Sequence, residues 1–142
     1  MITCKIPLET PSKKNSKIFN TKTHTMHCSK RYQEWHQAAV MFINSAIKEK
    51  DISRCFFILV FTHGDKRKRD SDNGVNSIFD TLCDTNVIED DNYNVIPIHS
   101  VFNLYKAKDP NCEIRIYLPD EKELYLRDMI HYTNIAWELT IV

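Results

Sequence analysis

The feature that most constrains the fold is an unbroken apolar run at residues 55–61, bounded by Arg54 and Thr62. A run of this length and composition is typical of a central β-strand that is buried on both faces. The strand leads directly into a charged segment, and a buried strand is a rigid support for side chains at its exit. The sequence therefore predicts a sheet built around this strand, with the chemistry placed just after it.

The segment after the strand carries a spaced acidic motif. Asp70 and Asp72 are two residues apart, and in an extended backbone side chains at i and i+2 point to the same side. The apolar residues that follow recur at helical spacing: Val75, Ile78, Phe79 and Leu82. We expect a helix from near residue 73 to near residue 85, followed by a loop that returns Asp91 to the first two carboxylates.

Three carboxylates around one point form a set of hard oxygen donors, which Mg²⁺ and Mn²⁺ prefer to nitrogen or sulfur. We expect Asp70, Asp72 and Asp91 to bind the metal, with Asp90 as an additional or neighbouring ligand. A simpler interpretation is that Asp72 only caps the helix and that Asp90 and Asp91 are solvated loop acids. Four cations stand at the entrance of this segment, which suits a site that holds phosphate against a metal. They are Lys66, Arg67, Lys68 and Arg69.

The same residues resemble the RusA family of Holliday junction resolvases. Residues 68–73 read KRDSDN, residues 79–82 read FDTL and residues 87–91 read VIEDD. The resemblance implies that Asp70, Asp72 and Asp91 are catalytic, metal-binding carboxylates. It also implies a homodimer with two active sites that face a four-way DNA junction. One position departs from the family pattern, since Asn76 stands where the family usually has a lysine early in the helix.

Basic residues near the start of the chain are further candidates for DNA contacts. Lys13 and Lys14 follow Pro11, and a proline followed by basic or Asn residues also occurs near the start of the resembled family. We expect these lysines and the cations at 66–69 to bind DNA phosphates, with Asn73 and Asn76 as further contacts. The alternative is that residues 11–29 form an ordinary solvated loop.

The remaining elements complete the predicted fold. Residues 3–9 are strand-like, and Ser29 can cap a helix that begins at Lys30. Residues 95–106 and 113–118 are predicted to form a β-hairpin, and Asp120 with Glu123 resembles a capping box at the start of a final helix. We therefore expect an α/β (α+β) fold: a small mixed sheet with two principal helices and a C-terminal helix. Residues 1–142 would form one domain, with the family motifs over residues 5–118 and an extension over 119–142.

The first of these helices carries a wide apolar face. Its members are Tyr32, Trp35, Ala39, Phe42, Ile43, Ala46 and Ile47. At this spacing Tyr32 and Trp35 are expected in the core, although aromatic side chains can also stack on bases of single-stranded DNA.

Composition narrows the function classes. The formal net charge is zero, so any DNA-binding surface must come from local clusters of charge. Five cysteines without a C-x-x-C pair indicate a reduced, intracellular protein, which we expect in the cytoplasm. No apolar run approaches the roughly 20 residues of a membrane span, so we expect no membrane partner. With only two glycines, the chain has neither a P-loop nor a Rossmann fingerprint.

These observations favour a Mg²⁺-dependent endonuclease that nicks Holliday junctions symmetrically in DNA recombination and repair. A metal nuclease that acts on flaps or other branched DNA is a second enzymatic hypothesis. A DNA-binding protein that has lost catalysis is the alternative from another class, and Asn76 is the residue that favours it.

Overall fold

The structure is a computed structural model, and it describes residues 1–139. The strands are β1 Ile2–Ile6, β2 Lys17–Asn20, β3 Thr25–Cys28, β4 Phe56–His63, β5 Ile98–Tyr105 and β6 Asn111–Tyr117. The helices are α1 Lys30–Ala46, α2 Val75–Asp84 and α3 Lys122–Leu139, with a short 3-10 helix at Lys14–Ser16. This is the expected α+β fold, with a small mixed sheet, two principal helices and a C-terminal helix.

The main sheet has the strand order β1-β6-β4-β5. Strand β4 is parallel to β5 and antiparallel to β6, which in turn pairs antiparallel with β1. Residues 57–61 are at most 4% exposed, which confirms the prediction of a central strand buried on both faces. Burial on both faces explains why this strand is continuously apolar instead of alternating with polar residues.

Alternate side chains of β4 enter two different hydrophobic cores. Phe57, Leu59 and Phe61 pack in a large core with α1 and α2 on one face of the sheet. Ile58 and Val60 pack in a smaller core beneath α3 on the other face. This division follows from the two-residue repeat of a strand. The sheet is therefore the middle of three layers.

Helix α1 begins as predicted. Its N-cap is Ser29, whose hydroxyl accepts a hydrogen bond from the Tyr32 backbone N–H at 3.2 Å. Tyr32 and Trp35 are about 5% exposed, so both rings belong to the core and are not available to stack on bases. Phe42 is 39% exposed and lies at the edge of the predicted apolar face.

The predicted hairpin of the last two strands is wrong. Strands β5 and β6 follow each other in sequence, but β4 lies between them in the sheet. Both pair with β4, and this pairing satisfies the backbone N–H and C=O groups of a strand that has no access to water. A second miss is the antiparallel pair β2–β3, which occupies most of a segment expected to be a loop. Its side chains are mostly exposed, so it carries no apolar alternation to predict it.

Two predicted details near helix ends also differ. Asp70 and Asp72 do not lie on an extended strand, because residues 71–74 form a turn before α2. Helix α3 begins at Lys122, and the side chain that binds backbone there is Glu121, which accepts from the Leu118 N–H at 2.8 Å. The capping box expected from Asp120 and Glu123 is therefore wrong.

Among residues 1–139, no helix has the length and apolar content to cross a membrane.

Candidate active site

An open cavity of about 250 Å³ lies where the parallel strands β4 and β5 end. Its walls come from the end of β4, the segment after β1 and the charged segment that precedes α2. The charged side chains that line it include Glu9, Arg31, Arg67, Lys68 and Asp70. The exit of the buried strand is thus the place where acidic and basic groups meet, as the sequence predicted.

A largely shielded carboxylate, that of Glu9, organises the inner wall of this cavity. Glu9 Oε1 lies 2.7 Å from His63 Nδ1 and 3.0 Å from Arg69 Nε. Arg69 also pairs with Asp65 at 2.9 Å. The side chains of Glu9, His63 and Arg69 are 17%, 21% and 18% exposed, so these contacts are largely shielded from solvent. Arg69 therefore pairs with two carboxylates, and Arg67 is a second cation beside Asp65.

The first two carboxylates of the motif lie on the turn that leads into α2. Both side chains are exposed, and Asp70 lines the cavity. The turn is closed by two backbone hydrogen bonds, from the Asn73 N–H to the Asp70 carbonyl at 3.2 Å and from the Val75 N–H to the Asp72 carbonyl at 3.1 Å. The N-cap of α2 is Gly74, without a side-chain cap, so Asp72 is not the N-cap that the simpler interpretation required.

The other acids lie beyond the C-terminal end of α2. Burial raises the pKa of Asp91, and the neighbouring Asp90 and Asp80 raise it further. Hydrogen bonds from the Asp91 backbone N–H and from the Asn92 side chain lower the pKa of Asp90. Asp91 therefore lies in a local cluster of negative charge, and a bound cation would favour the ionised form of its carboxyl.

The donor set suits a hard divalent cation, since Asp70, Asp72, Asp90 and Asp91 offer only oxygen. Within residues 1–139, however, no three His, Cys, Asp or Glu side chains lie close enough to hold a metal ion. The helix α2 separates the turn that carries Asp70 and Asp72 from the loop that carries Asp91. The residues fit a metal by their chemistry, and they are not gathered into a three-ligand group.

The predicted DNA-contacting cations have different environments. Lys66 and Lys68 are exposed, with Lys66 Nζ 5.2 Å from the centre of the Tyr105 ring. Arg67 is exposed but pairs with Asp65 at 2.9 Å, and Arg69 is the largely shielded partner of Glu9.

Nearer the start of the chain, Lys13 Nζ binds Asp80 Oδ2 at 2.8 Å, which raises the pKa of Lys13, and Lys14 is exposed on the 3-10 helix. Asn73 lines the cavity, whereas Asn76 is exposed on α2.

Sequence reasoning missed three residues of this site. Glu9 and His63 line the cavity, and Asn103 joins them from β5. The position of His63 at the end of the buried strand is a signal that could have found it. Glu9 and Asn103 carry no comparable signal. Asn103 reaches the site only because the sheet register places β5 beside β4.

Cations and carboxylates line one open cavity, and this combination is suited to binding phosphate groups. The family model for Endodeoxyribonuclease RusA matches residues 7–117, which include the acidic motif, the basic residues and the cavity. The chain therefore belongs to the RusA family of endodeoxyribonucleases. No curated protein matches the chain. Helix α3 lies outside the matched residues.

Proposed function

We propose that this protein is a metal-dependent, structure-specific endonuclease that resolves Holliday junctions by paired symmetric nicks in DNA recombination and repair. The observation that carries the proposal is the match of the RusA family to residues 7–117, together with the cations and carboxylates around one cavity within them. The five free cysteines among residues 1–139 suit a reducing compartment, and we place the activity in the cytoplasm.

The proposed catalytic and metal-binding residues are Asp70, Asp72 and Asp91, with Asp90 as a further ligand. A bound Mg²⁺, or Mn²⁺ in its place, would polarise the scissile phosphate and lower the pKa of an attacking water. The protein contributes a turn with two exposed carboxylates and a third carboxyl with a raised pKa. Because these groups are not gathered in the structure, we expect metal and DNA together to complete the site.

The proposed DNA-binding surface surrounds the cavity. Lys14, Lys66 and Lys68 are exposed, and Asn73 lines the cavity beside them. Residues 10–33 contain six Lys or Arg and no Asp or Glu, so this segment adds positive charge without internal neutralisation. Phosphate contacts of this kind supply affinity but carry no sequence information, so the choice of a junction would come from its shape.

Two symmetric nicks require two active sites, and a homodimer with two-fold symmetry supplies them. We therefore propose that the active form is a homodimer bound to a four-way junction.

A cleavage assay tests the function directly. A four-way junction, a flap and a linear duplex of matched length are incubated with the protein in Mg²⁺ and, separately, with a chelator. We expect paired nicks in the junction only, and only with metal. Faster cleavage of the flap would replace this proposal with the flap-nuclease hypothesis.

Junction binding without cleavage in any metal would support a non-catalytic junction-binding protein. Two observations favour this non-catalytic candidate: no three-ligand group occurs within residues 1–139, and Asn76 replaces the usual lysine.

A further inference from the structure

A series of three hydrogen bonds connects the largely shielded carboxylate of Glu9 to the turn that carries the acidic motif. Glu9 Oε1 lies 2.7 Å from His63 Nδ1, and His63 Nε2 lies 2.9 Å from Asn103 Oδ1. Asn103 Nδ2 then donates to the Ser71 carbonyl at 2.8 Å. Ser71 is the residue between Asp70 and Asp72, so the last bond holds the backbone between the two carboxylates.

The direction of each bond follows from what its atoms can do. A backbone carbonyl only accepts, so the amide nitrogen of Asn103 must face Ser71 and its oxygen must face His63. That oxygen also only accepts, so His63 Nε2 must donate to it. The other ring nitrogen, Nδ1, lies 2.7 Å from Glu9 Oε1, and the same carboxylate oxygen pairs with Arg69 Nε at 3.0 Å.

The two side chains in the middle of this series of hydrogen bonds lie at the ends of paired strands. His63 and Asn103 lie on the adjacent parallel strands β4 and β5, where Asn103 is paired with the buried Phe61. The other hydrogen bonds of the turn are local ones, within residues 70–75. In the part of the chain that the structure describes, the bond from Asn103 is the one hydrogen bond that joins residues 70–73 to the sheet.

We propose that Asn103 is a positioning residue that sets the backbone between Asp70 and Asp72, and that His63 and Glu9 act through it by orienting its amide. The consequence for cleavage rests on the proposed function, whereas the consequence for the turn does not. A misplacement of about 1 Å at reacting groups costs on the order of 100-fold in rate, so one well-placed hydrogen bond can matter to catalysis.

Amide hydrogen exchange in the metal-free protein tests the structural step. Asn103→Leu removes both bonds at nearly constant size, and Asn103→Asp keeps an acceptor for His63 but presents an oxygen to the Ser71 carbonyl. For both variants we expect exchange at the Asn73 and Val75 amides to rise by at least about fivefold, the size of one lost hydrogen bond. Asn44→Leu, at an exposed position of α1, is the matched control and should leave these amides unchanged.

A double-mutant cycle tests whether His63 acts through Asn103. The variant with both His63→Leu and Asn103→Leu should exchange at these amides no faster than Asn103→Leu alone. Additive effects would overturn the role of His63, and unchanged exchange in both Asn103 variants would overturn the proposal as a whole. Thermal unfolding of each variant identifies any that fails to fold, and Asn103→Asp then carries the test.

Cleavage kinetics test the catalytic consequence. We expect kcat on a four-way junction to fall by about tenfold or more in Asn103→Leu, with KM changed by less than about twofold. A raised KM with an unchanged kcat would overturn the positioning role. If the wild-type protein cuts no junction, the proposed function fails, while the exchange experiment still decides whether Asn103 holds the turn.

Discussion

At the scale of single residues, the acids of the candidate site have unequal environments. Asp70, Asp72 and Asp91 are all exposed, but partial loss of hydration and the neighbouring acids raise the pKa of Asp91. The cations also differ, because Arg69 is largely shielded beside Glu9 while Lys66 and Lys68 are exposed. Residues of one chemical type in one short motif therefore have different environments.

The carboxylates are tested by neutral substitutions of the same size. Asp70→Asn and Asp91→Asn should each reduce junction cleavage by at least about 100-fold, if they hold the metal that activates water. Junction affinity, measured by gel shift in a chelator, should be unchanged or tighter because less negative charge faces phosphate. Asp120→Asn, outside the residues that match the family, is the control. Wild-type cleavage rates in both Asp70→Asn and Asp91→Asn would show that the site is misassigned.

The departure at Asn76 is tested by restoring a lysine. Asn76 is exposed on α2 and lies four residues before Asp80, whose partner is Lys13 at 2.8 Å. Asn76→Lys would add a charge that competes with Lys13 for Asp80. A lysine four residues before an acid stabilises a helix weakly at best. We expect a change of less than about 0.5 kcal/mol in unfolding free energy and a modest gain in cleavage, below about tenfold.

The contrary outcome of this experiment is informative. If Asn76→Lys creates cleavage in a protein that otherwise binds junctions without cutting them, the hypothesis of a non-catalytic binder is correct. Melting temperature and junction affinity of the same variant separate a gain in chemistry from a gain in folding or binding.

At the scale of elements, the turn before α2 is packed directly on the central strand. A β-carbon built on Gly74 would lie 2.5 Å from Cε1 of Phe61, a ring that is 3% exposed. The backbone of Gly74 has φ −87, which any residue can adopt, so only this close approach requires glycine. The acidic turn can lie this close to the strand because Gly74 has no side chain, and hydrogen bonds hold it there as well.

Gly74→Ala should therefore lower the unfolding free energy, by about 1–3 kcal/mol, because the buried ring must move. Urea denaturation measures the change. Phe61→Leu provides the matched comparison, since it frees space beside the added methyl group. The double variant should be more stable than the sum of the two single effects. Simple additivity would mean that the turn moves and the ring does not.

Helix α3 is held to the sheet by a polar contact as well as by its smaller core. Asp128 Oδ2 accepts from Tyr117 Oη at 2.7 Å and from Arg115 Nη2 at 3.1 Å. Burial alone raises the pKa of Asp128, but these hydrogen bonds and the charge of Arg115 outweigh it and hold the pKa below its usual value. A carboxyl with a lowered pKa stabilises the fold above its unfolded pKa of about 4, and this contribution is lost as the pH falls through the folded value.

Asp128→Asn should destabilise the protein by about 1–3 kcal/mol at pH 7, because a charged acceptor of buried donors is lost. The difference from wild type should shrink below about pH 4, as the wild-type carboxyl becomes protonated. Urea denaturation from pH 3 to pH 7 measures this, with the exposed Glu123→Gln as the control on the same helix. A difference that stays constant over this range would show that the charge of Asp128 is unimportant.

At the scale of the whole molecule, the outer face of α3 carries exposed apolar side chains. Ile130 is 63% and Trp137 is 69% exposed, while Ile135 is half-buried. The sequence predicted that Ile135, Trp137 and Ile141 either meet a partner subunit or cover the sheet. Trp137 is exposed, and Ile141 lies outside the residues that the structure describes. An exposed apolar surface of this kind is the one that we propose for contact with a second copy of the chain.

We expect a dimer in solution, and sedimentation without DNA at low micromolar concentration measures its mass. Trp137→Asp should shift the population towards monomer, because an unpaired charge in an apolar interface is costly. Met41→Asp, at a 73% exposed position on α1, should leave the mass unchanged. A monomer in the wild type at working concentration would contradict the dimer.

The sequence by itself determined the elements whose signals are local. The run at residues 55–61 predicted β4, the serine at 29 predicted the start of α1, and the apolar spacing from Val75 predicted α2. Burial on both faces, a side-chain cap and a helical stripe each depend on residues that are neighbours in the chain. The acidic motif and its family were likewise recognisable because their residues lie within one short segment.

Only the tertiary structure decided which elements meet. Whether β5 pairs with β6 or with β4 depends on which neighbour buries the central strand, and short-range patterns do not contain that information. The hydrogen bonds from Glu9 through His63 and Asn103 to the Ser71 carbonyl join four separate segments. His63 has a local signal at the end of the buried strand, but nothing in the sequence around Glu9 or Asn103 indicates this contact. Their arrangement follows from sheet register and backbone direction, which are set by packing across the whole domain.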